Sequence, residues 1–261
     1  ATVAKGYPQS AHPYANNASD SWYYEVEDAQ YLTATFSTAT NVENGYDLIR
    51  LYDNQKNLLT FTDDSGNSFD SFTGSELAGR TLLIPSSGFY ITLDTDSDGT
   101  DYGFAITQVQ PKYIAAPTLA KVDQNGADSV YLTWSQVSGA QGYAVSRRDG
   151  DSGAYKQVLV TSATGAQDSG LLPGKLYYYT VRSYQVVNGV RVYSGYSNKV
   201  GETILDKPDI VTAYATGSTS ARLTWTGVRG SVGYAVYMSL SEDGPYTRLK
   251  TSTRSSYSLS R

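Results

Sequence analysis

A gapless internal repeat constrains what this chain can fold into. Leu132-Thr133-Trp134 recurs as Leu223-Thr224-Trp225, Gly142-Tyr143-Ala144-Val145 as Gly233-Tyr234-Ala235-Val236, and Gly153-x-Tyr155 as Gly244-x-Tyr246, each 91 residues on. Ala116-Pro117 returns as Lys207-Pro208 at the same offset. A period held this long without insertion marks two copies of one folding unit. Each copy places short runs of β-branched and aromatic residues between turn signals, as a β-sandwich of about 90–100 residues does. Trp134 and Trp225 lie mid-strand in an alternating apolar pattern, with Tyr143 and Tyr234 following in each copy, so all four are assigned to the core.

The rest of the composition agrees. With 24 Tyr and 24 Gly in 261 residues and strong Ser/Thr content, the chain reads as all-β with many turns. The expected fold is three β-sandwich domains in series, over residues 1–113, 114–205 and 206–261, the last one partial. One His, one Met and no Cys exclude a thiol nucleophile, a disulfide framework and a zinc site built on Cys or several His. His12 sits beside Pro13 in a Pro- and Asn-rich segment, and no nucleophile-elbow pattern accompanies it. No apolar run approaches the length of about 18 residues that reads as a membrane span. The start at Ala1-Thr2-Val3 suits a trimmed secreted chain as well as an expressed fragment.

Charge is divided unevenly. Residues 1–113 hold 15 acidic and 5 basic side chains, a balance of −10, whereas residues 114–261 hold 10 and 15, a balance of +5. An acidic first domain repels a phosphate backbone, which excludes nucleic acid as its partner. Within it, Asp94, Asp96, Asp98 and Asp101 crowd one short stretch ahead of Tyr102-Gly103-Phe104. Solvent, a basic partner, or a hard cation such as calcium must offset that repulsion. Asp94-x-Asp96-x-Asp98-Gly99 matches the opening of an EF-hand loop, but the position of its bidentate Glu holds Ala105 and both flanks read as strands. A calcium-binding turn between two strands and a solvated Asp/Gly hairpin are the readings that remain.

In order along the chain, strands are expected at Ser21 to Val26, Tyr31 to Ser37, Tyr46 to Tyr52, Arg80 to Pro85 and Gly88 to Leu93, with Asp63 to Thr73 as a long polar loop. Residues 7–110 resemble a CUB domain of the cysteine-free kind found in secreted bacterial proteins. The resemblance rests on His12-Pro13-Tyr14-Ala15-Asn16-Asn17 before Trp22, Phe36 ahead of Gly45-Tyr46-Asp47, Ile49-x-Leu51-Tyr52-Asp53, and Asp96 followed by Gly103-Phe104. It implies a jelly-roll sandwich and a calcium ion held by Glu43, Asp47 and Asp96, with Asp98 or backbone carbonyls as further ligands and Tyr14 as a supporting hydroxyl. Glu43 stands closer to Asp47 than that family's pattern would place it.

The two repeats resemble fibronectin type III domains. Besides the Trp and Tyr positions, Gly170-Leu171-Leu172-Pro173-Gly174-Lys175-Leu176-Tyr177-Tyr178-Tyr179 matches that family's tyrosine-corner segment, which implies a hydrogen bond from Tyr177 to upstream backbone. Arg147-Arg148 and the Val187-Asn188-Gly189-Val190 hairpin are expected to be exposed, and no Arg-Gly-Asp motif is present. At the 91-residue offset, Leu171 to Lys199 have no counterpart in the second copy, so an open sheet edge is expected there, covered by a continuation of the chain or by strands from another chain.

These readings lead to a non-catalytic, extracellular recognition or adhesion fragment of a bacterial surface or secreted protein. Its partner would be an extracellular protein or glycan. The alternatives are accessory domains of a larger secreted hydrolase, a carbohydrate-binding module using exposed Tyr such as Tyr23, Tyr24, Tyr113 or the run Tyr177 to Tyr179, and a structural stalk.

Overall fold

The structure is a computed structural model that describes residues 6–63 and 65–260. Those residues form β-strands and no α-helix, in sandwiches arranged in series, as the strand periodicity predicts. They divide into two compact units, one made of residues up to 116 with 137–143 and 182–196, the other of 117–136, 144–181 and those from 197 onward.

The first unit begins with β1 (Ser19–Glu25), β2 (Tyr31–Phe36), β3 (Leu48–Asp53), β4 (Phe61–Thr62), β5 (Ser68–Phe69), β6 (Thr81–Ile84), β7 (Gly88–Asp94) and β8 (Ile106–Lys112). Two antiparallel three-stranded sheets, β1-β7-β3 and β6-β2-β8, carry its core. Period-2 alternation turns Leu32, Ala34 and Phe36 of β2 inward together with Ile49, Leu51, Phe89 and Ile91, all buried. Strand β3 begins later than expected, leaving Tyr46 67% exposed in the preceding turn. The segment expected as a long loop contains β5, which pairs with β4 so that Phe61, Phe69 and Phe72 pack ring on ring.

The second unit contains β9 (Leu119–Gln124), β10 (Ser129–Trp134), most of β11 (Gly142–Asp149), β12 (Lys156–Thr161), β13 (Gly165–Ser169) and the first six residues of β14 (Leu176–Val187), whose remainder belongs to the first unit with β15 (Val190–Tyr193). It continues with β16 (Val200–Thr203), β17 (Ile210–Gly217), β18 (Ser220–Trp225), β19 (Tyr234–Met238), β20 (Thr247–Ser252) and β21 (Ser256–Ser260). Trp134, Tyr177, Tyr179 and Val181 are buried, and the Leu172 amide donates to the Tyr177 hydroxyl at 2.9 Å, the tyrosine-corner bond. The repeat also preserves a bond the sequence did not announce. Val137 N donates to Tyr143 Oη at 2.9 Å, and 91 residues on Val228 N donates to Tyr234 Oη at 2.8 Å.

Two expected exposures are corrected. Arg147 donates through its Nη1 to Asp168 at 2.9 Å, where Tyr179 Oη also donates at 2.8 Å, so its charge is matched inside the sandwich. In the hairpin expected to be exposed, Val190 is so, but Val187 is 3% exposed and clusters with Ile114, Val192 and the side of Tyr31, while Asn188 Nδ2 donates to the Thr60 carbonyl at 2.7 Å. Around β17 to β21, by contrast, the sheet face is open. Ile210 is 66% and Tyr214 53% exposed, and a cavity of about 430 Å³ is lined by Leu205, Ile210, Leu223, Trp225, Val228 and Tyr234.

Candidate metal centre

Three turns of the first unit converge at one end of its sheets. The segment before β1 carries Tyr14 and Asn16, the turn into β3 carries Glu43 and Asp47, and the acidic turn after β7 carries Asp96. Backbone bonds hold the three together: Asn41 N donates to Gly103 O at 2.9 Å, Gly103 N returns to Asn41 O at 2.8 Å, and Asn17 N donates to Asp96 O at 2.6 Å. Thr73 Oγ1 accepts from Gly45 N at 2.6 Å and donates to Glu43 O at 3.0 Å, which fixes the turn that aims Glu43.

The four crowded aspartates meet four fates. Asp94 pairs with Arg50 at 3.1 Å and accepts from Ser19 Oγ at 2.6 Å. Asp101 accepts from Asn41 Nδ2 at 2.6 Å. Asp98 stays on the turn and caps its own Gly99 amide at 3.0 Å. Asp96 joins Glu43 and Asp47, and one carboxylate oxygen from each of the three lies within 4.8 Å of the others. Glu43, Asp47 and Asp96 are thus brought together as the family resemblance implied, while Asp98 is outside the cluster.

Asp47 is fully buried, and both of its oxygens are engaged, Oδ2 by Tyr14 Oη at 2.5 Å and Oδ1 by Asp96 N at 2.9 Å. Tyr14, itself buried, accepts from Glu43 N at 2.8 Å, so one hydroxyl sets the positions of two carboxylates. Burial, the bond to Asp47 and its charge push the Tyr14 hydroxyl well above its ordinary range, so it stays protonated and donates. Glu43 Oε2 is buried and has no hydrogen-bond partner. Desolvation, then the charges of Asp96, Asp47 and Asp98, raise the Glu43 carboxyl above its usual value. No ion pair formed by the described residues involves any of the three.

This donor set fits a hard divalent cation. All the donors are oxygens, the charge is uncompensated, and an orphaned carboxylate oxygen marks where a partner is missing. Two residues of the sequence motifs lie beside the cluster. Asn16 Oδ1 is buried without a partner while its Nδ2 donates to Ser97 O at 3.1 Å, beside Asp96. Gly99, at φ +68°, lies against the Glu43 carboxylate, where a Cβ would come within 2.3 Å of Oε2. His12 is occupied elsewhere, stacked on Tyr102 at 3.9 Å with its Nδ1 bonded to the Tyr102 carbonyl at 2.7 Å.

No family model matches the chain. Among solved structures it is similar to an Fn3-like protein from Clostridium thermocellum, at 31% identity over 33% of this chain and 91% of that one, with a TM-score of 0.27. It is similar to a human fibronectin type III domain at 26% identity over 38% and 78%, TM-score 0.29. It is also similar to the FN1–FN3 domains of chicken CNTN1 at 12% identity over 91% and 86%, TM-score 0.33.

Proposed function

We propose that this chain is a non-catalytic recognition fragment of a secreted or surface-attached bacterial protein, with an N-terminal CUB-like sandwich organised by calcium and fibronectin type III-like repeats that present it. The observation that carries this reading is the convergence of Glu43, Asp47 and Asp96 from two separate turns, braced by Tyr14 from a third segment, with Glu43 Oε2 buried and unpartnered. A bound ion would lock those turns to one another and leave Asp98 on the rim, where it can accept a Lys or Arg from a protein partner. The tyrosine-corner bond and the duplicated Tyr-hydroxyl bond support the type III assignment of the repeats.

The test is calorimetric titration of the whole chain with calcium, with thermal melts in calcium and in chelator. One saturable site and a raised melting temperature are expected, since at a hundredfold excess over Kd a ligand specific to the native state adds about 2.7 kcal/mol. Asp96→Ala should abolish both effects. Absence of heat and of any shift at millimolar calcium overturns the reading.

A further inference from the structure

The stretch from Gly170 to Gly201 contains Lys175, Arg182, Arg191 and Lys199 and no carboxylate. Within the first unit, two of these cations are built into a stack on the hairpin of β14 and β15. Arg182 lies between Tyr193 and Tyr196, 4.4 and 4.7 Å from their ring centroids, and Arg191 lies 5.0 Å from that of Tyr184. Tyr184 and Tyr193 sit opposite each other in the ladder with centroids 5.7 Å apart, which joins the two pieces. Tyr184 is held in place over Gly142, where a Cβ would come within 2.5 Å of its hydroxyl.

Rings compensate a guanidinium only in part, because they satisfy none of its N–H donors. Among the described residues, no ion pair involves Arg182 or Arg191, and Arg182 Nε is buried with no acceptor. Tyr196 covers one face of Arg182 yet is itself 56% exposed, so an aromatic surface stands open beside an unanswered cation. A ligand that brings a carboxylate to the fork and the apolar face of a ring to the tyrosine complements both.

We propose that this stack binds a carboxylate-bearing sugar, the uronic-acid unit of an acidic oligosaccharide, with the carboxylate on Arg182, the sugar ring on Tyr196 and Arg191 meeting a second acidic unit. Charge complementarity favours this occupant over a neutral glycan.

The experiment titrates the whole chain, in chelator and low salt, with galacturonate trimer, with neutral maltotriose and with a ten-residue oligothymidylate. The galacturonate trimer should bind and weaken as salt rises, and maltotriose should not. Arg182→Gln and Tyr196→Ala should each weaken binding at least tenfold. Arg191→Gln, at an exposed position, should weaken it about threefold with an unchanged melting temperature. Arg182→Lys, which keeps the charge and loses the fork, should weaken it nearly as much as Arg182→Gln, an outcome a general electrostatic attraction would not give. No binding of the trimer, equal binding of maltotriose, tighter binding of the oligothymidylate, or trimer binding unchanged in Arg182→Gln and Arg191→Gln would each overturn the proposal. Chelator is present throughout, so the result is independent of the calcium reading.

Discussion

Gly99 decides whether the acidic turn can close on Glu43. Its φ of +68° and the 2.3 Å approach of a built Cβ to Glu43 Oε2 make Gly99→Ala a change that strains the turn and displaces the carboxylate together. Calcium affinity measured by calorimetry should fall at least tenfold in that variant. Asp47→Ala should destabilise the chain even in chelator, by about 1–3 kcal/mol in urea melts, because it strands the Tyr14 hydroxyl and the Asp96 amide in a buried site. Glu43→Gln should do the opposite in chelator. A carboxyl whose folded value is raised stabilises below its unfolded value and loses that contribution as pH rises through the folded one. The neutral amide therefore raises the melting temperature at pH 7, the advantage vanishes as pH falls into the carboxylate range, and calcium no longer adds to it. The three carboxylates were legible through the resemblance of residues 7–110 to a known family, although Glu43 stands closer to Asp47 than that pattern places it. Both Asn16 and Gly99 stood in the sequence motifs, but their roles were not legible, since an orphaned amide oxygen and a missing Cβ have meaning only once the turns are packed.

At the scale of the element, the tyrosine corner and the strand β16 can be read separately. Tyr177→Phe removes the acceptor of the Leu172 amide and should cost about 1 kcal/mol in urea melts followed by tryptophan fluorescence. Glu202 of β16 carries a carboxyl raised by burial, opposed by its bond to the Thr203 backbone and reinforced by Asp123. By the same sign, Glu202→Gln should raise the melting temperature at pH 7 and converge with the parent as pH falls below the ordinary carboxylate range. Strand positions were readable from period-2 alternation, which is why Leu32, Ala34 and Phe36 were assigned inward correctly. The β4-β5 pairing was hidden because two strands of two residues carry no periodicity. Arg147 was misjudged for a related reason, as its partner Asp168 lies on a strand of a different sheet and only the packing of the two sheets brings the pair together.

For the whole molecule, the repeat forecast two copies of one unit, and the structure shows how differently they are filled. Tyr177, Tyr179 and Val181 are buried in the first copy, whereas Ile210, Tyr214 and Tyr237 are more than half exposed in the second. Stability is correspondingly uneven. Brief trypsin digestion should cut first among Arg222, Arg229, Arg248, Lys250 and Arg254, and equal cleavage within residues 114–205 would contradict this. Sequence spacing gave the linear order of the sandwiches. It did not give the division into units, in which residues 137–143 and 182–196 group with those up to 116, because Val187, Ile114 and Val192 meet only through the fold.

The duplicated bond from Val137 N to Tyr143 Oη and from Val228 N to Tyr234 Oη makes the chain its own reference standard. Both amides report opening of the same local structure in one polypeptide, one buffer and one spectrum. Val228 should exchange its proton faster than Val137. The logarithm of the ratio of their protection factors, multiplied by RT, measures the difference in opening free energy between the well-filled and the open copy.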